Sequence, residues 1–98
     1  MLSIDTPVRL DKLSASRTPE GMLPTGYYLK GHLIELPQVG RTLRVLRYER
    51  AAQRPDEVTP VRCAGLYVSS PVVTITERED GSVDCETQNS TWRITPID

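Results

Sequence analysis

The segment GLYVSSPVVTITE, residues 65–77, carries apolar side chains on two different parities. Leu66 and Val68 share one parity, and Val73 and Ile75 share the other. The change falls at residues 69–71, and a strand that changes its buried face needs an extra residue or a sharp bend there. Pro71 suits such a bend because it cannot donate to a central ladder. Bends of this kind let small sheets curl, so the segment predicts a barrel.

The residues that follow alternate regularly and predict two more strands. SVDCET, residues 82–87, places Val83 and Cys85 on one face, and STWRIT, residues 90–95, places Trp92 and Ile94 inward. EDGS, residues 79–82, predicts the hairpin before them, because Asp-Gly suits a type I′ turn. We expect the barrel to close around Trp92, Ile94 and Val73.

Upstream, YYLKGHLIEL, residues 27–36, predicts a strand with Leu29 and Leu33 on one face. Gly31 inside it indicates a bulge or a close backbone approach. RTLRVLRYER, residues 41–50, is compatible with a helix or a strand. Val45, Tyr48 and the strand-rich surroundings favour the strand, followed by a polar loop over residues 51–60.

These elements predict an all-β fold for residues 26–98: a small, mostly antiparallel barrel of SH3-like or OB-like size. A small β-sandwich is the alternative. Residues 1–25 contain three prolines and are expected to form an irregular or partly helical N-terminal arm. Within that arm, Thr6 could cap a short helix with Pro7 in its first turn, or the segment could equally be extended.

The last third of the chain resembles a group of short uncharacterised bacterial and phage proteins. The resemblance rests on SSPVVTI, residues 69–75, followed by TQNSTWRI, residues 87–94, which matches a terminal T-x-N-S-x-aromatic-x-Ile pattern. Trp92 stands where that pattern has tyrosine. The resemblance implies a small β-barrel and no particular activity.

Composition narrows the class of protein. The chain has 98 residues and a net charge of −1, so it lacks the cationic surplus that sequence-blind binding to DNA or anionic membranes needs. It contains neither an apolar run of membrane-spanning length nor the layout of a secretory signal, and we expect a cytoplasmic protein without membrane contact. In a reducing compartment Cys63 and Cys85 are expected to behave as small hydrophobic side chains.

The residue types give little indication of catalysis or of metal binding. His32 is the single histidine, and the two cysteines stand 22 positions apart, which is unlike the close ligand pairs of structural zinc sites. The carboxylates of residues 77–86 fall on a turn-rich hairpin open to water, whereas a general acid needs a buried, desolvated carboxyl. We therefore expect no enzyme, no catalytic residue, no metal and no cofactor.

Charge distribution is the better guide to function. Residues 41–62 hold six arginines against three carboxylates, whereas residues 77–86 hold five carboxylates against one arginine. These segments could simply pair across strands, or the arginines could protect an edge strand. Arginines interleaved with aromatic rings also suit nucleic acids or anionic nucleotides. The candidate binding residues are Arg44, Arg47, Arg50, Arg62, Tyr27, Tyr28, Tyr48 and Tyr67.

A protein-interaction or assembly module is the preferred interpretation, because tyrosine, tryptophan and arginine are enriched in interface hot spots. Ile34, Leu36 and Leu46 would form its apolar centre, on strand faces opposite the core. The partner would be another protein or a second copy of the chain, as in a homo-oligomer. A phage-type inhibitor that sequesters a host protein or a signalling nucleotide would fit either mode of binding.

Overall fold

A computed structural model describes residues 2–4, 6–15 and 26–97, and these form seven β-strands and no helix. The strands are β1 (Val8–Ala15), β2 (Tyr28–Leu33), β3 (Thr42–Arg50), β4 (Val61–Arg62), β5 (Leu66–Glu77), β6 (Val83–Thr87) and β7 (Ser90–Pro96). The predicted all-β class is confirmed.

Six of these strands close into an antiparallel barrel. Going round the wall, the order is β1, β2, β3, β5, β6 and β7, and β7 pairs with β1 to complete the circle. The short β4 is an extra strand that pairs with the end of β3, where Glu49 lies opposite Arg62. Closure makes this a barrel, so the sandwich alternative does not apply.

Part of the predicted N-terminal arm belongs to the barrel wall. Residues 8–15 form β1, which pairs with β2 on one side and β7 on the other, so the helical alternative after Thr6 is wrong and the segment is extended. Val8, Leu10 and Lys12 point inward in strict alternation. That alternation favours a strand with one buried face over a capped helix. Residues 16–25 of the predicted arm lie outside the described residues.

β5 bends as expected, although the side chains it buries are different ones. Tyr67 and Ser69 face inward, whereas Leu66 and Val68 are exposed. The register with β3 shifts by one residue before Pro71, which is the predicted bulge. A second shift, opposite β6, follows Val72.

The second register shift changes which valine of β5 is buried, and the expected core is wrong at this position. Val72 is buried, whereas Val73 is 51% exposed, so the barrel does not close around Val73. The expected contributions of Trp92 and Ile94 are confirmed. The buried hydrophobic core consists of Val8, Leu10, Tyr27, Leu29, Leu33, Leu43, Val45, Val72, Val83, Cys85, Trp92 and Ile94.

β3 is a strand, which confirms the preferred interpretation of residues 41–50. Leu43 and Val45 face the core. Its neighbour β2 approaches it closely at Gly31, where an added Cβ would clash with the carbonyl oxygen of Leu46. The register between the two strands shifts beside this glycine, so both predicted features of Gly31 occur.

The hairpin between β5 and β6 is present with a different turn from the predicted one. Gly81 N–H donates to Arg78 C=O at 3.2 Å, and Arg78 N–H donates to Ser82 C=O at 2.9 Å. Gly81 has a φ of 89°, whereas no non-glycine residue of the described ranges has positive φ. A type I′ turn would need positive φ at Asp80 as well, so a longer turn with glycine at its last position replaces it.

Candidate functional site

An apolar cluster lies on the outer wall of the barrel where β2, β3 and β5 run side by side. Leu46 is 51% exposed and stands opposite Leu66, while Arg44 stands opposite Val68. On its other side Leu46 stands opposite His32 of β2. Leu43 and Val45 occupy the inward parity of β3, and alternation therefore turns Leu46 to solvent. We call Ile34, Leu46, Tyr48, Leu66 and Val68 the β3–β5 face.

Two of the three predicted interface residues belong to this face. Ile34 follows the end of β2, and its N–H donates to Arg44 C=O at 3.0 Å, which holds it beside β3. Leu46 lies at the centre of the face. Leu36 is also half-exposed, but it lines a separate cleft of about 400 Å³ together with Leu2, Pro37, Ile75 and Val83.

The candidate binding residues divide between the outer wall and the interior. Arg44, Tyr48 and Arg62 are exposed, and the Tyr48 ring lies 6.2 Å from the His32 ring. Neither Arg44 nor Arg62 forms an ion pair with any residue that the structure describes. These two guanidinium groups border the β3–β5 face and leave its charge positive.

Arg50 is engaged in the structure itself. Its two terminal nitrogens donate to the two carboxylate oxygens of Glu57, at 3.1 and 2.5 Å. The same carboxylate accepts hydrogen bonds from the backbone N–H groups of Gln53 and Arg54. The hydrogen bonds from Arg50, together with those from the two N–H groups, lower the pKa of Glu57 to about 2. The pair closes the loop after β3 onto the barrel, so Arg50 is not presented to a ligand.

Tyr27 and Tyr67 pack around Trp92 inside the barrel. Their ring centroids lie 6.4 and 5.5 Å from the tryptophan, both in edge-to-face geometry. Burial raises the pKa of Tyr67 to about 12. Because their ring faces are occupied by packing, neither tyrosine offers a surface on which a base could stack.

The hydroxyl of Tyr27 is buried without a hydrogen bond. Tyr27 is 3% exposed, and its Oη has no partner of good geometry among the described residues. Burial raises the pKa of this phenol, although Arg47 lies near enough to oppose that rise electrostatically. Arg47 forms no ion pair within the described ranges, and its Nε lies 3.5 Å from Gly65 O.

Tyr28, the remaining candidate, is partly buried and is held by neighbouring side chains. Its hydroxyl donates to a Glu49 carboxylate oxygen at 3.0 Å. The Arg9 guanidinium stacks over its ring at 4.1 Å from the centroid, which is a cation–π contact. The eight candidates therefore do not form one surface.

A small polar cavity near Trp92 was not anticipated from the sequence. It has a volume of about 110 Å³, and its lining includes Lys12, Ser69, Thr87 and Ser90. Lys12 is only 3% exposed, and burial lowers its pKa. The alternation of VRLDK, residues 8–12, could have placed this lysine inside, had the segment been interpreted as a strand.

Two of the five carboxylates of the acidic hairpin, Asp80 and Asp84, form surface ion pairs within the described part of the chain. Asp84 accepts a hydrogen bond from Arg93 at 2.9 Å, and Asp80 accepts hydrogen bonds from the N–H and the hydroxyl of Ser82.

Across residues 2–4, 6–15 and 26–97 no group of three or more His, Cys, Asp or Glu side chains could hold a metal ion. None of these residues belongs to a helix long and apolar enough to cross a membrane.

Comparison with protein-family models, with curated proteins and with solved structures finds no significant match to this chain.

Proposed function

We propose that this protein is a cytoplasmic, non-enzymatic module that binds another protein through the β3–β5 face. The observation that carries the proposal is the half-exposed cluster of Leu46, Leu66 and Val68 outside a barrel that has its own buried apolar core. Scattered apolar side chains are normal on a surface, whereas a contiguous group across neighbouring strands is typical of an interaction site. The free thiols of Cys63 and Cys85 fit a reducing compartment.

The charges beside the face indicate the chemistry of the partner. Arg44 and Arg62 form no ion pair with any residue that the structure describes. A partner surface that combines apolar side chains with carboxylates would complement both the apolar face and these two arginines. A two-fold dimer through the same face would bring the arginines of two copies together, and like charges oppose that arrangement. These points favour a foreign acidic protein over self-assembly.

A protein partner is also favoured over a nucleic acid. Sequence-tolerant binding of single strands needs exposed rings beside the cations. Tyr27 and Tyr67 pack on Trp92, and Arg50 is paired with Glu57, so three of the eight residues suited to nucleic acid are engaged within the protein itself.

Site-specific photocrosslinking tests the face directly. The chain carries p-benzoylphenylalanine at position 66, or at position 73 as a matched control, and is irradiated in an extract of the cell that makes it. Val73 suits the control because it is equally exposed on the same strand but lies outside the face. We expect one acidic protein to crosslink from position 66 and not from position 73.

Binding of that protein, in purified form, then decides the proposal. Leu46→Asp should weaken its Kd at least tenfold, since a central apolar contact is worth about 1–3 kcal/mol and 1.4 kcal/mol is tenfold. Val73→Asp should leave the Kd unchanged. Equal Kd values for the two variants, crosslinking of the chain to itself, or crosslinking to nucleic acid would each overturn the proposal.

A further inference from the structure

The two halves of β5 have different neighbours. From Val72 to Glu77 the strand pairs with β6. Leu66–Val68 pairs with β3 on one side, and no strand of the described residues pairs with it on the other. We call the unpaired side of Leu66–Val68 the β5 edge.

The alternation of hydrogen-bonded and non-hydrogen-bonded pairs between β3 and β5 shows which backbone groups point toward the β5 edge. Arg47 N–H donates to Gly65 C=O at 3.0 Å, so these two residues are a hydrogen-bonded pair of the antiparallel ladder. Pairs alternate along such a ladder, and Leu46–Leu66 and Arg44–Val68 are therefore non-hydrogen-bonded pairs. The N–H and C=O groups of Leu66 and Val68 consequently point away from β3, toward the open side.

The surroundings of the β5 edge suit the side chains of an added strand. Leu66 and Val68, each 49% exposed, would contact its outward apolar residues. Its inward residues would meet the polar cavity, because Val68 lines that cavity together with Lys12 and Ser69. An acidic or amide side chain matches this lining. Pro71 ends the edge, so the added segment is about five residues long, or about 16 Å.

Charge again favours a foreign acidic segment over a second copy. Arg47 contacts Gly65 just before the edge, Arg44 stands opposite Val68 on β3, and Arg62 belongs to β4 upstream. None of the three forms an ion pair with the part of the chain that the structure describes. Pairing of two β5 edges would bring these arginines close to their copies. An extended acidic segment would instead place carboxylates beside them.

We propose that the β5 edge binds an extended, acidic and apolar segment of the partner protein as an added β-strand. The inference rests on the proposed function, since it names how the partner of the β3–β5 face is held. Strand addition of this type takes its affinity from backbone hydrogen bonds and its specificity from alternate side-chain sites.

The probe is a displayed library of random dodecapeptides. Peptides that bind the full chain are selected from it at physiological salt. We expect enriched peptides that alternate apolar residues with Asp or Glu. Val68→Pro should weaken their binding more than tenfold, because it removes an N–H of the edge while leaving the β3 ladder intact. Val68→Ala keeps that N–H and removes only side-chain contact, so it should weaken binding clearly less than Val68→Pro; equal losses for the two variants would overturn strand addition.

Hydrogen exchange supplies a second readout that needs no variant. In the free chain the amides of Leu66 and Val68 should exchange rapidly while that of Tyr67 is protected by β3. A saturating selected peptide should protect the first two at least tenfold. Protection of Leu66 and Val68 in the free chain, as monomer or dimer, would show the edge already covered and overturn the inference.

The outcomes separate the two proposals. Selected peptides that bind Val68→Pro as tightly as the wild type but lose affinity for Leu46→Asp would overturn strand addition and leave the β3–β5 face standing. Peptides that bind both variants as tightly as the wild type would overturn both proposals. Failure of the library to enrich any peptide would overturn strand addition alone, since the crosslinking test does not depend on it.

Discussion

Gly31→Ala tests the close backbone approach between β2 and β3. The added Cβ would clash with the carbonyl oxygen of Leu46 and would lie 2.9 Å from Val45 Cγ1. The Leu46 carbonyl belongs to β3, which pairs with β2 on one side and β5 on the other. It cannot retreat without shifting at least one of these ladders.

The expected size of the effect follows from two opposing contributions. Overpacking a well-filled site costs about 1–3 kcal/mol, whereas replacing glycine by alanine recovers about 0.4–1 kcal/mol through the unfolded chain. The free energy of unfolding should therefore fall by about 1–2 kcal/mol. For a domain of this size that corresponds to a fall in Tm of about 5–15 °C.

Guanidinium and thermal unfolding, followed by far-ultraviolet circular dichroism, measure this loss. His32→Ala is the matched control, because it changes the next residue of β2 on the exposed face and should shift stability by less than about 0.5 kcal/mol. Adding Val45→Ala to Gly31→Ala should not restore stability, since the closest clash is with backbone. A Gly31→Ala chain as stable as the wild type would refute the close approach.

Three further predictions concern buried and paired groups. The pKa of Glu57 is lowered to about 2 by Arg50, so its contribution to stability is complete above about pH 4.5 and is lost as the pH falls toward 2. Glu57→Gln should flatten that part of the stability profile measured by guanidinium unfolding; an unchanged slope would contradict it. Cys85 is buried and its pKa is raised to about 11, so a thiol reagent at pH 8 should modify Cys63 and spare Cys85 until the protein unfolds. Tyr27→Phe should raise the free energy of unfolding by about 1 kcal/mol, because it removes an unsatisfied buried hydroxyl; a comparable loss would reveal a partner for that hydroxyl.

The candidate site shows where prediction from sequence succeeds and where it stops. Leu46 and Ile34 could be placed on the outer wall because strand alternation alone decides which parity faces solvent. Their grouping with Leu66 and Val68 could not be anticipated, since it depends on the register between β3 and β5. Arg44 and Arg50 come from the same segment, yet among the described residues only Arg50 of the two pairs with a carboxylate, on a loop whose course the sequence does not specify.

The sequence by itself determined that this chain is a strand-rich barrel with Trp92 and Ile94 inside, because period-two alternation and a proline at a change of face are local signals. Only the tertiary structure decided that residues 8–15 complete the wall, that Val72 rather than Val73 is buried, and that half of β5 keeps an open edge. These depend on bulges and strand registers. A shift of one residue exchanges the two faces of a strand, and the packing of the whole barrel selects among such shifts.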